Sequence, residues 1–178
     1  MSAEEYLERE LTNRDLYEYV GGVAHMKEGS SQDHSEIVGN LIAALRPIVR
    51  GGPCHLFATN FKVRLQLGGA VVFYYPDVMV ACDAQDADPY YSSFPKLFIE
   101  VLSPDTEQTD RREKFLSHIQ IETLQEYVLV AQDRMEVTVF RRANKWQPEV
   151  MRQADESLHL NSLSFSLPLS GIYEGVKL

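Results

Sequence analysis

The sequence is poor in the features that mark secreted, membrane-spanning and zinc-binding proteins. It contains two cysteines, Cys54 and Cys82, with no CxxC pair and no histidine at zinc-ligand spacing, so it predicts neither a disulfide framework nor a structural zinc site. No apolar run approaches the ~20 residues that a membrane helix requires. The acidic start MSAEEYLERE lacks the basic and apolar segments of a signal peptide. We therefore expect a cytoplasmic protein without membrane contact.

Positive charge is also scarce. Lysine and arginine number 17 against 26 acidic residues, and the formal net charge is -9, which is the wrong sign for binding nucleic acid through bulk electrostatics. Any contact with DNA must be local. The sequence has no Walker loop, no dinucleotide-binding glycine pattern and no nucleophile elbow, which disfavours nucleotide-cofactor and serine-hydrolase functions. What remains is 178 residues of globular composition without repeats or linkers, which predicts a single domain over 1–178.

Local patterns in the first third predict a helix, a hairpin and a second helix. Ser2 with Glu5 forms a capping-box pattern at the start of a short surface helix. Two strand-like runs around Gly21-Gly22 predict a β-hairpin. Apolar residues then recur at helical spacing up to about Arg50, with Ser31 or Asp33 as the cap; they are Ile37, Val38, Leu41, Ile42, Leu45, Ile48 and Val49.

The remaining two thirds are dominated by strand patterns. A longer hairpin is predicted around Gly68-Gly69, from HLFATNFKVRLQL to AVVFYYPDVMVA. The nearly apolar KLFIEVL predicts a strand buried on both faces. A helix capped by Thr106 or Thr109 is expected to run to about Ile119, followed by a meander of strands, one last strand and a short terminal helix. This order predicts an α/β fold with a central mixed sheet flanked by helices.

Two carboxylates stand out because strand patterns surround them. Asp77 follows Pro76 in VVFYYPDVMV, and Glu100 interrupts KLFIEVL. A buried carboxylate requires a cation, hydrogen bonds or protonation. Two carboxylates held side by side on strands offer the hard oxygen ligands that Mg²⁺ prefers, and such a site can activate water against a phosphodiester. The alternative is structural: either group could be solvated at a sheet end or paired with a flanking arginine.

Several segments together resemble a known family. YPDVMVACD, FIEVLSPDT after a gap of 20-odd residues, and the following DRREK are similar to the bacterial "putative restriction endonuclease" family of unknown-function domains, within the PD-(D/E)xK nuclease superfamily. The resemblance runs from about Leu16 to Phe140 and includes YEYVGG, DHSEIVGNL and LQEYVLV. It implies a restriction-endonuclease-like fold in which Asp77 and Glu100 bind the metal.

The resemblance also implies roles for further residues. The superfamily has a lysine at the third position of the (D/E)xK triplet, where this sequence has Leu102; Lys114 of DRREK matches the lysine that the family supplies from the next helix, and so is the third catalytic candidate. Glu36 matches an additional acidic metal ligand, and its alternative is a helix-start glutamate favoured by the macrodipole. His34 matches a position that the family usually fills with histidine, and Ser103 matches the serine after EVL; both are candidates to contact substrate or support the site. The alternatives are a solvated helix face for Lys114, local capping or packing for His34 and a turn of the chain for Ser103.

The implied activity is hydrolysis of phosphodiester bonds in DNA with Mg²⁺, or Mn²⁺, as cofactor. A homodimer is expected, because nucleases that cut both strands usually pair their sites by two-fold symmetry. The net charge of -9 and the missing triplet lysine favour an alternative, a catalytically inactive binding or oligomeric scaffold that has kept the nuclease fold.

Overall fold

The computed structural model describes residues 1–27, 29–103 and 113–178. In these residues the helices are α1 (Ala3–Glu10), α2 (Gln32–Val49), α3 (Phe115–His118) and α4 (Leu169–Ile172). The predicted caps of the third helix, Thr106 and Thr109, lie outside the described residues. None of the helices in the described ranges is long and apolar enough to cross a membrane.

Two large sheets carry most of the strands. The first is five-stranded, in the order β2-β1-β5-β4-β7, and antiparallel except for β4 with β7. Its strands are β1 (Tyr17–Val20), β2 (Val23–Met26), β4 (Lys62–Leu67), β5 (Ala70–Tyr74) and β7 (Tyr91–Ser92). The predicted hairpin at Gly21-Gly22 is confirmed, because both glycines have the positive φ that a tight turn between β1 and β2 requires.

The second sheet is six-stranded, in the order β11-β10-β9-β8-β6-β3. Its strands are β3 (His55–Ala58), β6 (Val78–Ala81), β8 (Pro95–Leu102), β9 (Glu126–Ala131), β10 (Val137–Arg141) and β11 (Pro148–Met151). Only β8 and β9 pair in parallel among these strands, so the predicted mixed sheet is confirmed. The chain end forms a separate hairpin of β12 (Ser157–Leu160) and β13 (Phe165–Pro168), where one strand was predicted.

Two clusters of buried apolar side chains show how the helices and sheets are layered. The apolar face of α2 packs on one face of the six-stranded sheet, through residues such as Ile37, Leu41 and Leu45. The other face packs against the five-stranded sheet, where Phe98 and Tyr127 meet Val63 and their neighbours. Each fully buried side chain of this size contributes about 1.5–3 kcal/mol. The α/β prediction is confirmed, with a second sheet covering the face where a helix was expected.

The small helix α1 covers the outer face of the five-stranded sheet. Ser2 and Glu5 form the predicted capping box. Tyr6 is buried and stacks on Tyr19 with ring centroids 5.0 Å apart, beside Phe73. The molecule is therefore built as helix, sheet, sheet and helix, and the space between the two sheets is one of its main interior regions.

The predicted long hairpin is broken in the middle and contributes to both sheets. Residues 59–61 and 75–77 interrupt the ladder: β4 and β5 pair in the first sheet, and β3 and β6 pair in the second. Pro76 has no N–H to donate to a ladder, and Thr59 adopts a positive φ of 46°. The expectation that Asp77 lies within a strand is thus wrong, because it lies in the break directly before β6.

The expectation about the cysteines is also wrong, because Cys54 and Cys82 form a disulfide. An unbroken hairpin from the Gly68-Gly69 turn would place Cys54 opposite Asp83. The observed pairing of His55 with Ala81 differs from that register by one residue, which places Cys54 opposite Cys82. Disulfides persist mainly in oxidising compartments, so the cytoplasmic expectation stays a prediction.

Candidate active site

The break before β6 places Asp77 beside Glu100 of β8. The backbone N–H of Asp77 donates to Glu100 Oε2 at 3.3 Å, and the carbonyl of Asp77 accepts from the Thr59 N–H at 3.0 Å. Both acidic residues are only 5% exposed. The carboxylate of Glu100 therefore contacts the backbone of Asp77, and that backbone is held on two sides.

Among the described residues, the Asp77 carboxylate has three partners, which come from three parts of the chain. Oδ2 accepts from the Val101 N–H at 2.9 Å and from His34 Nε2 at 3.1 Å. Oδ1 lies 3.4 Å from Lys27 Nζ. An ionised carboxylate only accepts hydrogen bonds, so the Nε2 atom of His34 must carry a proton.

The pKa of Asp77 reflects opposing effects. Burial is the largest single influence and by itself raises the pKa. The hydrogen bond from His34, the positive charge of Lys27 and the N–H of Val101 together outweigh burial, and the pKa lies below its ordinary value. The group is therefore an anion at neutral pH, as a metal ligand or electrostatic anchor must be.

Local sequence explains why His34 reaches this site. Ser31 is the N-cap of α2, and its Oγ accepts from the His34 N–H at 3.1 Å. This bond fixes the first turn of α2, from which the imidazole extends to Asp77. The predicted helix start and the placement of His34 near the acidic pair agree with the structure, while its role in catalysis stays a prediction.

The position of the missing triplet lysine is part of the core. Leu102 is 2% exposed and packs with the apolar residues between the two sheets. Glu100 lies two residues earlier on β8 and so projects from the same face of the strand. A lysine at position 102 would require burial of an ammonium group among apolar side chains, and the cations of the site come from elsewhere.

Lys114 lies at the start of α3 and pairs with a residue that sequence reasoning missed. Its Nζ is 2.9 Å from Glu18 Oε1 and 5.5 Å from the centre of the Tyr74 ring. The same Glu18 oxygen accepts from the Tyr75 N–H at 3.3 Å. Lys114 is thus linked through Glu18 to the backbone that leads into Asp77, and its catalytic role remains a prediction.

The structure does not bring Glu36 to the acidic pair. Two residues along a helix differ by about 200° in direction, so Glu36 and His34 point to nearly opposite sides of α2. Glu36 is exposed, and its carboxylate lies beside Gly175: Oε2 is 3.9 Å from the position that a Cβ atom would take on that glycine. Ser103 directly follows β8 and is half-buried. The supporting roles of both residues, including metal binding by Glu36, stay predictions.

Lys27 is the second residue that sequence reasoning missed. It directly follows β2, and its Nζ also donates to the Tyr75 carbonyl at 2.8 Å. It lies 50 positions before Asp77, and no spacing pattern links the two. One sequence feature could have pointed to Glu18 and Lys27. The YEYVGG segment resembles the nuclease family, Glu18 lies within it, and Lys27 directly follows the hairpin that it begins.

The donor set suits a hard divalent cation. Within residues 1–27, 29–103 and 113–178, no group of three or more His, Cys, Asp or Glu side chains is arranged to hold a metal. Mg²⁺ is commonly held by only one or two carboxylates, with waters and a phosphate completing its shell. Asp77 and Glu100 are buried and in contact through the Asp77 backbone, and their two carboxylates fit Mg²⁺ by donor type and number.

Comparison with protein-family models identifies the family of the chain. The family model described as "Uma2: Putative restriction endonuclease" matches residues 3–170. The chain belongs to the Uma2 family. The match extends beyond the segment from Leu16 to Phe140 that carries the sequence resemblance, and it confirms the family that those motifs predict. A nuclease-type function is thereby supported at the level of the family.

Two relatives of this chain come from Synechocystis sp.. The uncharacterized protein slr1290 of Synechocystis sp. is 32% identical over 178 residues, covering 99% of this chain and 93% of the relative. The uncharacterized protein sll1609 of the same organism is 30% identical over 135 residues, covering 74% of this chain and 75% of that relative.

A solved structure shares the fold. The crystal structure of a "putative nuclease belonging to DUF820" from Anabaena variabilis matches with a TM-score of 0.77 at 21% identity, covering 97% of each chain. This likeness confirms the predicted fold over nearly the whole Uma2 chain. At this level of identity it speaks to the fold alone.

Proposed function

We propose that this protein is a metal-dependent endonuclease that hydrolyses phosphodiester bonds in DNA. The observation that carries the proposal is the contact between two buried acidic residues, Asp77 and Glu100, in a chain that belongs to a restriction-endonuclease family. Buried carboxylates require cations or hydrogen-bond donors, and two of them on neighbouring segments support a site that binds a cation during function.

In this proposal each residue has a distinct part. Asp77 and Glu100 hold Mg²⁺ or Mn²⁺, and the metal supplies charge neutralisation on the phosphate and activation of water. His34 and the Val101 N–H keep Oδ2 of Asp77 in place. Lys114, positioned by Glu18, offers an ammonium for the developing negative charge on the phosphate. A homodimer would present two such sites to the two strands of a duplex.

The second candidate function is a nuclease-fold protein that binds without cutting. Two observations favour it. Leu102 occupies the triplet position and is part of the apolar core, and Asp77 already has a histidine and a lysine as partners. A protein of this kind would bind DNA or its own copy and leave phosphodiester bonds intact.

The deciding experiment measures cleavage of supercoiled and linear plasmid DNA with Mg²⁺ or Mn²⁺, for wild type and Asp77→Asn and Glu100→Gln variants. We expect cleavage by the wild type and at least about 100-fold less by either variant, because the metal would lose a charged ligand. The matched control is Asp155→Asn, an exposed acidic residue, which should cut like wild type. DNA binding with no cleavage by any variant would favour the second candidate.

A further inference from the structure

The two oxygens of the Asp77 carboxylate are unequally engaged. Oδ2 has two buried partners, the Val101 N–H at 2.9 Å and the His34 ring at 3.1 Å. Among the described residues, Oδ1 has one polar side-chain partner, the Lys27 ammonium at 3.4 Å. A divalent cation that binds Asp77 must therefore approach Oδ1, where it meets a positive charge.

Lys27 is the more displaceable of these partners. Its side chain is 22% exposed, against 7% for that of Asp77. Its ammonium lies closer to the Tyr75 carbonyl, at 2.8 Å, than to Oδ1. A lysine head on a flexible stem can move toward solvent at small cost, whereas the N–H of Val101 is part of the backbone of β8. Oδ1 is thus covered by a cation that can leave.

We propose that Lys27 is an internal counter-ion that competes with the divalent cation for Oδ1 of Asp77 and so lowers the metal affinity of the site. The inference rests on the proposed function, since it takes Asp77 as a metal ligand. The inference also accounts for the charge balance of the site when no metal is bound. Position 102 holds a buried leucine in place of the triplet lysine, and Lys27 at the end of β2 supplies the ammonium beside Asp77.

The physical basis is repulsion between like charges at short range. A metal at Oδ1 and an ammonium 3.4 Å from the same oxygen would interact in a half-buried space, where screening by water is reduced. The ammonium must therefore withdraw when the metal binds. Neutral side chains at position 27 remove this penalty, and an arginine keeps it.

The experiment is calorimetric titration of Mn²⁺ into the purified wild type and Lys27→Met, Lys27→Gln and Lys27→Arg variants. Loss of the competing charge is expected to lower the Kd of the Met and Gln variants at least about tenfold, while the Arg variant stays within about threefold of wild type. The Gln variant also keeps a donor for the Tyr75 carbonyl, which guards against loss of the loop structure. Thermal unfolding of each variant confirms that it is folded.

One control variant separates direct competition from general charge. Lys177→Met removes an exposed lysine outside the site. It is expected to stay within about threefold of the wild-type Kd, because an exposed charge away from Oδ1 is screened by solvent and salt. An effect of Lys177→Met as large as that of Lys27→Met would overturn the assignment to Lys27.

The remaining outcomes distinguish the inference from the proposed function. If Asp77→Asn abolishes Mn²⁺ binding but Lys27→Met binds as the wild type does or more weakly, the competition is refuted and the metal site stands. If neither the wild type nor Lys27→Met binds Mn²⁺ at millimolar concentration, Asp77 is not a metal ligand in the free protein, and both the metal-dependent function and the inference drawn from it fail.

Discussion

Two buried carboxylates, one at the start of the interior strand β9 and one directly before β6, have very different surroundings. Glu126 of β9 is 1% exposed, and its oxygens accept from Arg141 Nε at 3.1 Å and from the N–H groups of Asn161 and Ser162 at 2.9 and 3.0 Å. Arg141 itself is buried and also bonds Glu149 and the His159 carbonyl. Within the described part of the chain, the donors to Glu126 are the Arg141 guanidinium, two backbone N–H groups and the Ser162 hydroxyl.

Asp77 is comparably buried, yet one of its oxygens faces a half-exposed lysine at 3.4 Å. The difference teaches that burial of a carboxylate does not by itself mark a functional site. A guanidinium in a fixed geometry with loop N–H groups makes a closed, structural cluster. A flexible ammonium over one oxygen leaves a position that another cation can take.

The largest effect that tests this comparison is expected from Glu126→Ala. The substitution leaves Arg141 without its buried anionic partner and the N–H groups of Asn161 and Ser162 without their acceptor, and the free energy of unfolding should fall by about 3–5 kcal/mol. Urea denaturation at pH 7 measures it. The matched control is Glu149→Ala, whose side chain is 53% exposed and should cost about 1 kcal/mol or less. Equal losses of unfolding free energy in the two variants would show that the buried Glu126 stabilises the fold no more than the exposed Glu149 does.

His118 differs from both carboxylates, because it is a fully buried titratable group without the polar partners that they have in the described part of the chain. Within the described part of the chain, neither of its ring nitrogens has a hydrogen-bond partner. Burial, and to a lesser degree the charge of Lys114, lowers the pKa of His118 to about 3. The unfolded chain takes up this proton near pH 6.5, so stability is present above that pH and is lost as the pH falls toward 3.

We therefore expect the free energy of unfolding to drop by about 2 kcal/mol between pH 7 and pH 5 on account of His118 alone. The variant His118→Phe removes the titrating group from a site already lined by the rings of Tyr74 and Phe98. Comparing the pH dependence of the two proteins cancels any constant packing cost of the larger ring. Parallel curves for wild type and variant would refute a neutral, unpaired His118.

The smallest stability effect is expected from Asp77→Asn. The carboxylate is stabilised by its cationic and hydrogen-bonding partners but opposed by burial, and an asparagine oxygen can still accept from the Val101 N–H. We predict a change of about 1 kcal/mol or less in the free energy of unfolding at pH 7, measured by the same urea titration. A loss as large as that of Glu126→Ala would place Asp77 among the structural carboxylates and remove the contrast between the two sites.

Local sequence patterns predicted most of the secondary structure because those patterns report which face of an element is buried. The Ser31 cap, the apolar spacing of α2 and the glycine turn between β1 and β2 all depend on residues a few positions apart. Ile48 departs from this pattern: it fits the helical spacing but is 43% exposed, while the following Val49 is buried in the core.

The pairing of distant segments is what local patterns did not predict. The hairpin around Gly68-Gly69 looked continuous, but Pro76 and the turn at Thr59 divide it between two sheets and shift its register by one residue. That shift brings Cys54 to Cys82 and moves Asp77 out of a strand. A shift of one residue reverses which face each side chain occupies, so a small local break has a large effect on tertiary contacts.

The sequence by itself determined the elements, the family and the two carboxylates at the centre of the candidate site, because motifs and periodicity are short-range properties of the chain. Only the tertiary structure decided which groups surround those carboxylates: His34 at 43 positions and Lys27 at 50 positions from Asp77, and Glu18 at 96 positions from Lys114. These contacts arise from how two sheets and a helix pack around one buried edge, and packing over such separations leaves no pattern in the order of residues.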